Sequence, residues 1–338
     1  MKAARFHEHG GPDVLHYEDA PDPPAAAGRA IVRVRACSLN HLDLWQRRGL
    51  ERVSIPFPHI SGADVSGEVV DGGGLFAPGT RVLLQPGLSC GRCDRCREGR
   101  DNECADYSVL GYVSDGGYAE LLSIPVENVV PIPDHVDFVS AAAFPLTFLT
   151  AWHMLFTKAA LRGGESVLVL AGGSGVGQAA IQLARLHGAR VFATAGPAKI
   201  EAATAIGAED VFDHYAEDFS KRVRQITGSR GVDVVVEHVG EATWDRSMRC
   251  LARGGRLVTC GTTTGYKVSI DLRHLFARQL SLLGSYMGRK PELLQAAALL
   301  FEGKLKPVVD SVMPLADIRA AHERLESGRQ FGKIVVVP

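Results

Sequence analysis

The sequence predicts an α/β protein in which a β-rich domain is joined to a doubly wound parallel sheet. Three observations lead there. The 338 residues exceed what a single hydrophobic core usually serves. The first third consists of short apolar runs punctuated by Gly-Pro, Pro-Asp and Pro-Gly turns. From residue 166 onward, apolar runs alternate with stretches of helical spacing, the rhythm of a parallel sheet with helices on both faces. The balance of 37 Lys and Arg against 38 Asp and Glu directs the chain to neither nucleic acid nor a membrane surface. No apolar run approaches the ~18–20 residues of a membrane span. The opening MKAARFHEHGGPDVL lacks the apolar core of a signal peptide, so a cytosolic location is expected.

Residues 1–130 open with a strand and a loop and continue through the β-type runs AIVRVRACSL, SGEVV and TRVLLQPG. They predict a small, mostly antiparallel barrel or sandwich. From about 138, FVSAAAFPLTFLTAWHMLFTKAAL is apolar around much of its circumference, as a buried connecting helix would be. The strand VLVL, a helix over 177–187, the strand VFAT, the helix KIEAATAIG and the strand EDVFD follow. Next come a helix over 217–227, the strand VDVVVEHVG, a helix over 242–252, the strand GRLVTCG and the run LSLLGS. The tail reads as helix, strand, helix and a last strand, GKIVVVP, which is free to return to the first domain.

Cys90, Cys93, Cys96 and Cys104 have the spacing C-x2-C-x2-C-x7-C. Four thiolates on so short a loop satisfy tetrahedral zinc with no open position, which describes a structural rather than a catalytic site. The loop is too polar to fold by burial, so a metal must supply its order. An iron–sulfur cluster is the competing occupant.

Between the strands VLVL and VFAT lies Gly172-Gly173-Ser174-Gly175-Val176-Gly177, a glycine turn opening a helix. Unpaired N–H groups and the helix dipole at such a turn favour phosphate, and the β-α-β context identifies a dinucleotide site. Ser174 stands at the middle glycine of a strict G-x-G-x-x-G. NAD enzymes place an acid at the end of the second strand. Here VFATAGPAKI offers none, which favours NADP(H).

The cysteine lobe, the GGSGVG turn, LTAW at 149–152 and the C-terminal GKIVV together resemble the medium-chain dehydrogenase/reductase superfamily over nearly the whole chain. That group contains zinc alcohol dehydrogenases and quinone oxidoreductases. The resemblance implies a GroES-like catalytic domain from residues 1–123 and 288–338, with the zinc lobe at 88–106, around a Rossmann domain at 124–287. The active site would lie in the cleft between them, and a homodimer built through the Rossmann sheet edge is implied.

Zinc-dependent members also carry a catalytic zinc. At its ligand positions this chain has Asn40, Ala63 and Leu146, and Leu42 stands where the hydroxyl of a proton relay would be. An amide, a methyl and an isobutyl group do not hold a divalent cation tightly, so one structural zinc per chain and no catalytic zinc are expected. Cys37, His41, His59 and Asp64 offer a displaced site, each with a structural alternative. The segment LNHLDLWQRRG resembles the quinone oxidoreductase branch, in which an Asn faces the nicotinamide. Asn40 and His41 are therefore the candidate catalytic residues, with His41 alternatively a pyrophosphate contact and Asp43 structural.

The resemblance further implies that Lys199, with His214, Tyr215 and Arg329, binds a 2′-phosphate. Thr150, Thr194, Val239, Gly240, Gly261 and Thr262 would line the rest of the cofactor. Without a Lewis acid, reduction of a quinone, enone, enal or enoyl-thioester is easier to support than alcohol oxidation. The rivals are a zinc alcohol dehydrogenase with unusual ligands and a nucleotide-binding protein with little turnover.

Overall fold

The computed structural model describes residues 1–50 and 53–338. β1 (Lys2–Phe6) and β2 (Leu15–Asp19) form an antiparallel pair. β3 (Arg29–Ser38) is followed by α1 (His41–Arg48), β4 (Asp64–Asp71), β5 (Arg81–Leu84), β6 (Gly87–Leu88) and α2 (Asp94–Arg97). β7 (Ser108–Val109), β8 (Leu121–Pro125), β9 (Val129–Pro131) and α3 (Phe138–Ala142) come next. In β3 the alternation is visible in the sequence: Ala30, Val32, Val34 and Ala36 are buried while Arg33 and Arg35 are exposed. That period of two seats one face of the strand on a core.

The single connecting helix expected over 138–161 is broken. α3 ends before Ala143, and α4 (Pro145–Trp152) begins at a proline. Pro145 has no N–H to continue the ladder, and its ring would meet the carbonyl one turn back. Past Trp152 the coil widens into a π segment, His153–Lys158, in which the Ala159 amide reaches the Met154 carbonyl at 2.9 Å.

The second unit then alternates β10 (Ser166–Val169), α5 (Gly175–Leu186), β11 (Arg190–Ala195), α6 (Ile200–Ala205), β12 (Asp210–Asp213) and α7 (Phe219–Ile226). It continues with β13 (Val232–Glu237), α8 (Trp244–Cys250), β14 (Leu251–Thr259), α9 (Leu272–Ala277) and β15 (Ser281–Gly284). Its six strands run parallel in the order β12-β11-β10-β13-β14-β15. That is the Rossmann order, with the switch point at β10 and β13. Val167, Leu168 and Val169 are all buried, as both-face coverage of a central parallel strand demands.

The tail adds α10 (Lys290–Phe301), β16 (Val309–Pro314), α11 (Ile318–Glu326) and β17 (Lys333–Val337). β17 pairs antiparallel with β3 and parallel with β16, so the last strand does join the first sheet. That seven-stranded sheet runs β16-β17-β3-β4-β5-β9, with β8 also on β3. The chain divides into two compact units, Met1–Leu146 with Arg289–Pro338, and Thr147–Gly288. The first unit runs on to Leu146, past the 123 expected, because β8 pairs with β3, β9 with β5, and α3 and Leu146 bond to Ser38, Ser66 and Asp64. No helix among the described residues is long and apolar enough to cross a membrane.

Candidate active site and metal centre

The four lobe cysteines converge. Cys90 and Cys104 Sγ lie 3.6 Å apart, Cys93 and Cys96 3.6 Å, and Cys90 and Cys96 3.9 Å. All four sulfurs fall within 4.8 Å of one another. Tetrahedral zinc with bonds of ~2.3 Å places its sulfurs roughly 3.8 Å apart, so the donor set fits. The amides of Arg92 and Cys93 point at the Cys90 sulfur and bring its thiol down to about 6, favouring the thiolate a metal requires. Around the cluster the loop is charged: Arg100 pairs with Glu98 and Glu103, and Arg289 with Glu103. The Lys290 amide donates to Asp101 at 2.9 Å. Among the described residues, no second group of His, Cys, Asp or Glu converges in this way.

In the second unit, the glycine turn joins β10 to α5. Ser174 caps α5 and its Oγ accepts the Gly177 amide at 2.9 Å, using one of the free N–H groups at the helix start. A Cβ at Gly177 would come within 2.3 Å of the Ala171 carbonyl oxygen, so only glycine permits this approach of helix to strand. Thr194 is fully buried and its hydroxyl accepts the Ala171 amide at 3.0 Å. It holds the turn from beneath. Val239 and Gly240 follow β13, where the buried Glu237 carboxylate gathers their two amides and the hydroxyls of Thr243 and Ser247 at 2.6–3.1 Å. Gly261 and Thr262 follow β14, and Thr150 lies buried in α4.

β11 ends at Ala195 and the chain goes on with Gly196 and Pro197, with no acid at this point. His214 and the exposed Tyr215 stack edge to face, with ring centroids 4.3 Å apart. Burial holds the His214 imidazole below its usual range, and the neighbouring cations Arg246 and Lys199 push the same way. Asp213, at the end of β12, accepts the Tyr215 and Ala216 amides on one carboxylate oxygen, Oδ1. Arg246 escaped the sequence reading because it lies on α8, remote in the chain from Lys199. Arg329 follows α11 in the first unit, exposed, its guanidinium donating to Ser327. Cys250 and Cys260 are pushed up to about 12 by burial and are held as thiols.

In the first unit, Asn40 caps α1 at the end of β3 and is only 7% exposed. Its Nδ2 donates to Asp64 Oδ2 at 2.9 Å, and its Oδ1 accepts from Lys333 Nζ at 2.6 Å. Lys333 Nζ also meets Asp64 Oδ2 at 3.0 Å, with both side chains buried. Asp64 Oδ1 accepts the Leu146 amide at 2.7 Å, and Ser38 lies 3.4 Å from Oδ2. Ala63 is buried beside them. His41 opens α1, half-buried, its ring 6.2 Å from Trp45. Lys333 went unassigned in the sequence; a lone lysine heading the buried run IVVV was the available signal.

Of the residues named for a displaced metal site, Asp64 and His41 are placed as above, and Cys37 and His59 belong to the same unit. Cys37 is buried, and burial raises its thiol well above the usual range. His59 is buried, with Nε2 against Gln46 and 3.0 Å from the Gly111 carbonyl. Asp43 accepts the Asn40 amide at 2.7 Å and the Tyr118 hydroxyl at 2.8 Å, and burial lifts its carboxyl to about 6.

Residues 26–134 match the alcohol dehydrogenase GroES-like domain, and residues 175–302 match the zinc-binding dehydrogenase domain. The chain is 30% identical to the quinone oxidoreductase of Rattus norvegicus over 100% of its own length and 98% of that protein's. It is 28% identical to the crotonyl-CoA reductase of Streptomyces collinus, covering 96% of this chain and 81% of that one. A crystal structure of an NAD-dependent alcohol dehydrogenase superposes with a TM-score of 0.97 at 45% identity, covering 100% of both chains.

Proposed function

Because the chain belongs to the medium-chain dehydrogenase/reductase superfamily, we propose that this oxidoreductase uses NADPH to reduce an activated carbon–carbon double bond or a quinone, without a catalytic zinc. The Asn40–Asp64–Lys333 cluster carries this reading. A catalytic metal would need anionic or imidazole donors, and Asn40, Ala63 and Leu146 supply none. Of the two buried carboxylates here, Asp64 has its charge answered by Lys333 and its oxygens taken by Asn40 and the Leu146 amide, and Asp43 holds the Asn40 amide and the Tyr118 hydroxyl. The residues do not fit the metal.

The residues of the second unit do fit a nicotinamide dinucleotide. The Gly172–Gly177 turn and the start of α5 would hold the pyrophosphate, and Lys199, His214, Tyr215 and Arg246 the 2′-phosphate. Thr150, Val239, Gly240, Gly261 and Thr262 would hold the ribose and nicotinamide. When bound, the cofactor supplies hydride. What the first unit contributes is a hydrogen bond from Asn40 to the substrate's carbonyl oxygen, which gains charge as the β-carbon is reduced. Such a donor, preorganised, acts at the transition state without reorganisation. His41, at the start of the same helix, is the candidate second donor. A homodimer is part of this proposal: β15 is one of the two edge strands of its sheet, and Leu272 and Phe276 of α9 stand exposed near it in sequence.

The likeness to an NAD-dependent alcohol dehydrogenase favours a second reading, alcohol oxidation with NAD⁺. Two measurements on the purified protein separate them. Zinc content of about one per chain, with turnover of NADPH against a panel of quinones, enones and enoyl-thioesters, is the expected result. Two zincs per chain, or turnover confined to alcohols and NAD⁺, would overturn the proposal. Tight NADPH binding with no turnover on either panel would leave a nucleotide-binding protein instead.

A further inference from the structure

Lys333 is the only cation of the Asn40 cluster, and no step above uses it. We propose that it is a positioning residue whose ammonium locks the Asn40 amide in the one orientation that offers an N–H to substrate; this rests on Asn40 being the donor to the substrate carbonyl. The amide has two ends and two charged neighbours. Oδ1 faces the Lys333 ammonium at 2.6 Å, and Nδ2 faces Asp64 Oδ2 at 2.9 Å. Turned over, Nδ2 would meet an ammonium that can only donate, and Oδ1 a carboxylate that can only accept. Both contacts would become repulsive, so the flip is forbidden from each side.

With Oδ1 and one Nδ2 hydrogen consumed, the second Nδ2 hydrogen is what Asn40 has left to present. Asn40 is thereby held with a donor to spare, which suits an oxygen gaining negative charge. An ammonium on Oδ1 also draws electron density through the amide and sharpens the N–H as a donor. The anchorage is rigid. Lys333 is 2% exposed and begins β17, Asp64 begins β4, and Asn40 follows β3, three neighbouring strands of one sheet. Asp64 is pinned further by the Leu146 amide. A buried ion pair is a poor device for stability, since apolar replacements are commonly as stable. Its use here is orientation.

The test removes the charges together. The double variant Asp64→Asn/Lys333→Met removes both charges of the pair together, and Asp43, on which Lys333 also acts, keeps the Asn40 amide and the Tyr118 hydroxyl as donors, so the melting temperature is the check on the fold. Expected are a melting temperature within a few degrees of wild type, NADPH affinity within about twofold, and kcat on the best acceptor of the panel lowered by about 10²-fold, the scale on which a lost oxyanion donor is felt. Wild-type kcat in the double variant would overturn the proposal. The orientation is also read without turnover, in the side-chain amide resonances of ¹⁵N-asparagine-labelled protein, with Asn40→Ala identifying the Asn40 pair. Shifted, slowly exchanging protons in wild type that move to ordinary positions in the double variant are expected, and an unchanged pair would sink the idea. Failure of the wild-type protein on the whole panel would strike the reading of Asn40 and leave the locked amide to be decided by these spectra.

Discussion

Asp43 shows how one buried side chain makes stability depend on pH. An ordinary aspartate releases its proton near 3.8, whereas burial lifts this one to about 6. Between those values the folded state holds the more protons, so Asp43's contribution is fully present below ~4 and is lost as pH rises through about 6. Asp43→Asn keeps an acceptor for the Tyr118 hydroxyl and the Asn40 amide while removing the titration. The stability of wild type minus that of the variant should fall by on the order of 2–3 kcal/mol from pH 4 to pH 7, measured by urea unfolding at each pH. Raw curves would mislead, because His322, buried and brought down to about 3, has the opposite slope below ~6.5. Single residues were unevenly legible in the sequence. Asp64 could be read as an internal hydrogen-bonding group from its surroundings, but its partner lies 269 residues away, and no local pattern joins two positions so distant.

Among the elements, the cysteine lobe was the most legible, because a metal site imposes ligand spacing directly on the sequence. Its α2 is a single turn, and none of its residues is buried, so its order must come from the four sulfurs. Stripping the metal with a chelator, or replacing Cys104 by Ser, should release about one zinc per chain to a colorimetric indicator. Amide exchange over 88–106 should rise at least tenfold, with the central strands β3 and β10 unchanged. Helices were less legible. The apolar stretch over 138–161 hid its break because periodicity is blind to a missing N–H, although Pro145 stood in plain sight. α9 went unforeseen for the opposite reason: Leu272 and Phe276 are exposed, so its pattern does not report a buried face.

For the whole molecule, alternation of strand and helix sufficed to predict the parallel sheet, since each βαβ crossover has one favoured hand. The reach of the first unit to Leu146 was less accessible, because the pairing of β8 and β9 with earlier strands and the bonds of α3 and Leu146 to Ser38, Ser66 and Asp64 leave no mark in composition. The proposed preference for NADPH also rests on scattered parts: the missing acid after β11, Lys199, His214 and, from α8, Arg246. At equal concentrations NADPH should raise the melting temperature more than NADH, and should slow amide exchange at 170–177 and 194–199. Lys199→Glu should abolish the difference between the two cofactors, with NADH binding retained. Equal stabilisation by both in wild type would refute the preference.

Lys333 also bears on the order in which the protein is made. Asp64 leaves the ribosome 269 residues before its cation does, an interval on the order of tens of seconds at about 5–20 residues per second. The parallel sheet of Thr147–Gly288 is contiguous in the chain and can assemble within that time. The first unit cannot close around Asp64 until β17 arrives, so the half of the molecule that is begun first is finished last, and the nascent chain carries an unanswered carboxylate until then.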